Sequence, residues 1–232
     1  MWGLSGEPQL AEPSSERIFN APAVALLVVA SMPLLYIGQD LLPYGEARFA
    51  FRPASLVEGG WWPGLLTAMF LHAGWTHVAM NAAGALAFGP PVARLMPGPV
   101  GGIGFLLFYM ACGVAGALGY GLLHLDSQGL AVGASGAVFG LTGAAIRLLG
   151  VRGGRPRALT DHRVLRISLI LMGVNAATGL IGFAPGMEGV SIAWEAHAFG
   201  YLFGLVMIGP WSRMFRGRTG FDSPPDPGDP VP

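Results

Sequence analysis

The chain has 232 residues, of which 53% are hydrophobic and only 11% charged, against roughly 25% charged in a soluble domain. Its thirteen basic residues are all Arg and balance thirteen acids to zero net charge, which excludes an electrostatic nucleic-acid binder. One Cys excludes a disulfide scaffold and 37 Gly invite close helix packing, so the expected class is an all-α polytopic membrane protein.

A spanning helix needs about 20 mostly apolar residues. Six segments meet or approach that length. A polar N-terminus with Glu7, Glu12, Glu16 and Arg17 precedes the first, Ala21 to Ile37. Its acids and the lack of a basic start argue against a signal peptide. A long connection, Gly38 to Ala73, follows; its apolar stretch around Trp61, Trp62 and Pro63 is broken by Pro and Gly and is expected in the interface. The second span runs from Gly74 to Phe88, with a Pro90-Pro91 break or kink beyond, and the third from Val100 to Leu123. The fourth, Ser135 to Leu149, offers about 15 residues, or about 22 Å of helix. The fifth covers Leu165 to Phe183 and the sixth Ser191 to Ile208. Residues 1–20 are expected to be a cytoplasmic tail, 21–210 one membrane domain, and 211–232 a disordered cytoplasmic tail. No internal repeat is evident, which argues against an inverted-repeat transporter.

The Arg residues set the orientation. Arg17, Arg94, the group Arg152, Arg155, Arg157 and Arg163, and Arg213, Arg216 and Arg218 fall in tails and even-numbered loops. Arg147 and Arg166 sit at the inner ends of spans four and five, and only Arg48 and Arg52 fall in an odd-numbered loop. Both termini are therefore expected in the cytoplasm of a cell with this protein in its inner or plasma membrane. Trp61, Trp62, Trp75 and Trp194 then serve as outer-interface anchors.

Polar side chains inside a membrane are costly and need a reason. Four recur near the outer starts of three spans: His77 and Asn81, Ser135, and His197. Ser135 lies in Gly133-Ala134-Ser135-Gly136, where a loop enters the short fourth span. With Arg147 at the inner face, its helix N-terminus is sunk below the outer surface, beside unpaired backbone N–H groups. Gly133 and Gly136 permit a tight turn and close backbone approach. His197 is expected about six residues, or about 9 Å, into span six. Gly200 and Gly204 share its face and let a neighbouring helix come close. If that neighbour is span four, the imidazole reaches the Ser135 hydroxyl as a general base. His77 and Asn81, spaced i, i+4, offer donors that with the Ser135 N–H could surround a developing oxyanion. The bland alternative for each residue alone is packing or an interhelical hydrogen bond.

Together, GxSG at Gly133 to Gly136, HxxxN at His77 to Asn81 and AHxxGxxxG at Ala196 to Gly204 resemble the rhomboid family of intramembrane serine proteases. The resemblance covers Ala21 to Ile208 and implies a six-transmembrane-helix rhomboid-like bundle with a long interfacial first loop. It implies an endopeptidase that cuts transmembrane segments near the outer face of the bilayer. The nucleophile would be Ser135 and the base His197, with no acidic third member. Glu195 points about 200° around the helix from His197, Asp161 lies on the cytoplasmic side, and Asp126 is the one conceivable acidic orienter. The resemblance also implies that Phe139 packs on the catalytic imidazole and that His72 supports the first loop. It departs at the Trp-Arg pair common in the family's first loop, since Pro63 follows Trp61-Trp62 here.

Expected partners are transmembrane protein substrates and membrane lipids, with no cofactor, metal or nucleic acid. A zinc protease would show HExxH, and His72 and His77 at i, i+5 would point about 140° apart on one helix. The remaining alternative is a non-catalytic rhomboid-like protein that binds membrane-protein clients.

Overall fold

The computed structural model describes residues 21–43, 45–60, 62–151, 155–182 and 192–215. Six long helices organise it: α1 (Ala23–Gly38), α2 (Trp75–Ala93), α3 (Gly98–Leu123), α4 (Ser135–Ile146), α5 (His162–Ile181) and α6 (Trp194–Phe215). Among the described residues the only strand-like pairing is an isolated bridge between Phe51 and Ala131. The result is a helical bundle of the expected class. Of the sequence calls, Trp61, Arg17, Arg152, Arg216, Arg218 and both distal tails lie outside the described residues.

The composition of each helix decides its place. α1, α3 and α5 are long and apolar enough to cross a membrane. α2 and α6 are long enough, at 19 and 22 residues, but carry the His, Asn, Gly and Pro residues that their inward faces use. α4 has only 12 residues, and Gly136 to Ile146 are almost all buried. A helix apolar and buried all round is a core helix. α2, α3 and α6 surround it, while α1 lies on α2 and α5 touches mainly α6.

The α4–α6 seam is built from glycine. A Cβ at Gly200 would collide with the Gly136 carbonyl, one at Gly204 with the Gly140 carbonyl, and one at Gly143 with the Tyr201 carbonyl. The two backbones therefore touch, the close approach that GxxxG spacing permits. Gly113 and Gly116 on α3 close in on Ala137 and Ala196 from the third side.

Several boundaries differ from expectation, among them α4, which ends at Ile146, and α5, which begins at His162. α2 continues through Pro90-Pro91 to Ala93, forgoing the donors that these two prolines lack toward the Leu86 and Ala87 carbonyls. α6 begins at Trp194, so His197 stands in its first turn rather than six residues deep. It also runs past Ile208 to Phe215, so residues 211–215 belong to the bundle and not to a disordered tail. Ser212 is buried, and the Trp211 Nε1–H donates to the Gly104 carbonyl at 2.9 Å. Pro210 leaves the Val206 carbonyl without its helical donor. The Arg147 guanidinium lies beside it, donating to Leu205 O at 2.8 Å and to Arg157 O at 2.7 Å and approaching Val206 O only at 3.5 Å. Arg147 is 8% exposed and, at the end of the fourth span where it was expected, is a buried clamp between α4 and α6.

The first connection docks on the bundle. Phe51 and Ala131 exchange backbone hydrogen bonds at 3.0 and 2.8 Å, and Gly133 N–H donates to Ala68 O at 2.9 Å. These bonds tie the loop directly to the turn that precedes Ser135. Short helical turns, Ser55–Glu58 and Gly64–Thr67, cover this region. At the α1 end, the Gln39 amide bridges the His72 backbone at N–H and C=O and also donates to Glu46. Anchoring thus comes from backbone pairing and Gln39, without a Trp-Arg pair.

Candidate active site

Gly133 has φ +123, a conformation that a side chain rarely adopts. It turns the chain so that Ala134 caps α4 and Ser135 is its first residue. The first N–H groups of a helix have no intrahelical acceptor, and here they sit at the inner end of a docked loop. Across the glycine seam, the first turn of α6 presents His197. Its Nε2 lies 2.8 Å from Ser135 Oγ.

The other imidazole nitrogen identifies the tautomer. His197 Nδ1 is 2.9 Å from Asn175 Oδ1 on α5, and Asn175 Nδ2 donates to the Trp194 carbonyl at 2.9 Å. With the amide nitrogen committed to a carbonyl, Oδ1 is the atom facing His197, so Nδ1 carries the proton. Nε2 is then a bare acceptor, and the Ser135 hydroxyl donates to it. Phe139 stacks on the ring, centroids 4.3 Å apart and planes 4° from parallel.

His77 stands opposite, on the first turn of α2, with its ring against Gly133. The Ala73 N–H approaches its Nδ1 at 3.4 Å, leaving Nε2 as the donor on the Gly133 side. Asn81, one turn on, is buried and spends one amide hydrogen on the His77 carbonyl at 3.0 Å. A narrow cavity of about 50 Å³ adjoins Ser135; small residues line much of it, among them Ala68, Gly113, Ala131, Gly136, Ala193 and Ala196.

The expected residues thus converge in part by different routes. Ser135, His197 and Phe139 meet directly, Gly200 and Gly204 form the seam, and Gly136 takes the close approach. His72 holds the first loop through its backbone, while neither ring nitrogen has a partner among the described residues. The His72 and His77 rings are not splayed on one helix, because α2 begins only at Trp75; their centroids are 5.2 Å apart. Among the described residues no group of three or more His, Cys, Asp or Glu could hold a metal. Glu195 turns away to His124 at 3.2 Å, and Asp126 is exposed in the turn after α3. The sequence reading missed Asn175. Its signal was an amide in the middle of a largely apolar span, which by itself calls for a partner.

Comparisons with known proteins identify the family. The Rhomboid domain family matches residues 58–213. The chain is 30% identical over 139 residues to the rhomboid protein YdcA of Bacillus subtilis, covering 58% of this chain and 66% of that one. It is 36% identical over 98 residues to the rhomboid protease GluP of the same organism, covering 42% and 18% respectively. Rhomboid-like protein 11, a chloroplastic protein of Arabidopsis thaliana, is 32% identical over 151 residues, covering 63% and 51%. The matches span at most 66% of these relatives' own lengths. The family match covers more than half of the chain and includes every residue of the site, and the chain belongs to the rhomboid family.

Proposed function

We propose that this protein is an intramembrane serine endopeptidase that cleaves transmembrane segments of other membrane proteins near the outer face of the bilayer. The observation that carries the proposal is the 2.8 Å bond between Ser135 Oγ and His197 Nε2, on an imidazole whose other nitrogen is already satisfied. A nucleophile beside an oriented base is the arrangement that covalent acyl transfer requires.

As Ser135 Oγ bonds to the scissile carbonyl carbon, its proton passes to His197 Nε2. Negative charge grows on the carbonyl oxygen. The Ser135 N–H, His77 Nε2–H and the second Asn81 amide hydrogen are the donors for it. His197 then protonates the leaving amine nitrogen as the C–N bond breaks, which leaves an acyl-enzyme. Water attacks next, giving its proton to His197, and the acid departs as Ser135 recovers that proton. The cavity of small residues beside Ser135 fits a small substrate side chain at the cut. The bundle through Phe215 carries this chemistry in the proposal, with both termini cytoplasmic.

The test is cleavage of a single-span reporter, carrying small residues and a helix breaker in its membrane segment, in liposomes. Wild type should cut it, and Ser135→Ala and His197→Ala should not. Equal cutting by the variants overturns the proposal. A non-catalytic, client-binding rhomboid-like protein would bind the reporter without cutting it; the formed Ser–His bond favours the enzyme.

A further inference from the structure

Resting on the endopeptidase proposal, we propose that Asn175 on α5 is a positioning residue: its side-chain oxygen fixes the tautomer and ring orientation of His197. α5 is the least embedded of the long helices, and Val164 and Asn175 are its only buried side chains. Val164 packs in an apolar cluster with Ile146 and Tyr201. Asn175 is 5% exposed, a buried amide that is costly unless both of its ends are hydrogen-bonded. Both ends of that amide are used, Nδ2 on the Trp194 carbonyl and Oδ1 on His197 Nδ1, each at 2.9 Å. Trp194 is held in turn against Gly179, one turn further along α5. The first bond locks the direction of the amide, and the second transmits that direction to the base. When His197 takes the Ser135 proton, Asn175 Oδ1 is the neutral acceptor that receives the imidazolium Nδ1–H.

The experiment measures saturation kinetics of a fluorophosphonate probe on full-length protein in detergent. Asn175→Leu removes both bonds. It should lower the maximal labelling rate about 10- to 100-fold, the worth of a hydrogen bond to a charged group. The half-saturating probe concentration should stay within about twofold. Asn175→Asp keeps an oxygen facing Nδ1 and should restore the rate to within about fivefold, even if its melting temperature falls. If Asp and Leu lose rate equally, or Leu loses none, Asn175 is only a strut to Trp194 and the inference is overturned. A second readout does not depend on activity. Imidazole ¹⁵N spectra of wild type should show His197 protonated at Nδ1 alone, and Asn175→Leu should mix tautomers. An unchanged single tautomer in Asn175→Leu overturns the inference while leaving the endopeptidase proposal standing. Wild type without Ser135-dependent labelling overturns both.

Discussion

At His72, burial and the neighbouring His77 push the imidazole down to about 4. In an unfolded chain the ring titrates near 6.5, so the folded value lies below the unfolded one. The stability linked to this ring is therefore intact above about pH 6.5 and is lost as pH falls from there toward about 4. Thermal melts in detergent should show a falling midpoint across that window, and His72→Phe should flatten the fall. At His77 and Asn81 the expected change is in rate. Losing an oxyanion donor typically costs about 10²–10³ in kcat, so His77→Ala and Asn81→Ala should each lower kcat on the reporter by that order while KM changes little. A loss of folding instead, or a kcat within about threefold of wild type, would make the pair an interhelical strut. Residues with a spacing signature, such as Ser135, His77 and His197, were legible in the sequence. Asn175 was not, because it belongs to no motif and its partner lies on another helix. Arg147 ends the fourth span as expected, but its burial was not legible, because the carbonyls that hold it, Leu205 O and Arg157 O, lie on other segments.

Among the elements, α4 determines the site, because it carries Ser135 and is enclosed by α2, α3 and α6. Its glycines set how far Ser135 stands from His197. Gly204→Ala should part α4 from α6, since the new Cβ falls on the Gly140 carbonyl. Overpacking of this kind costs about 1–3 kcal/mol; the melting midpoint should drop and Ser135 labelling should weaken with it. A Gly204→Ala protein with the wild-type midpoint would show that the seam is looser than described. The existence and order of the helices were readable from hydropathy, and the seam from GxxxG spacing. Their ends were less so. α6 reaches Phe215 because Trp211, Ser212 and Arg147 stabilise the helix around Pro210, a tertiary effect that the local pattern, ending at Ile208, does not contain.

For the whole molecule, the uneven distribution of Arg leads us to propose that the Arg155 to Arg163 side of the bundle faces the cytoplasm and the α4 N-terminus the other face. Cys substitutions at exposed loop positions, probed with an impermeant maleimide on intact cells, should label near Gln128 and not near Leu159. The reverse pattern would place Ser135 at the cytoplasmic side. The first loop also acts at this scale, since it was legible only as interfacial; its pairing of Phe51 with Ala131 depends on residues 80 positions apart and has no local signature. The central claim is that Ser135 is a nucleophile activated by His197. Peptide mass spectrometry of fluorophosphonate-treated protein tests it most directly. The expected result is a phosphonyl adduct on Ser135 in wild type and none in His197→Ala. An adduct on another serine alone, no adduct at all, or undiminished modification of Ser135 in His197→Ala would contradict it.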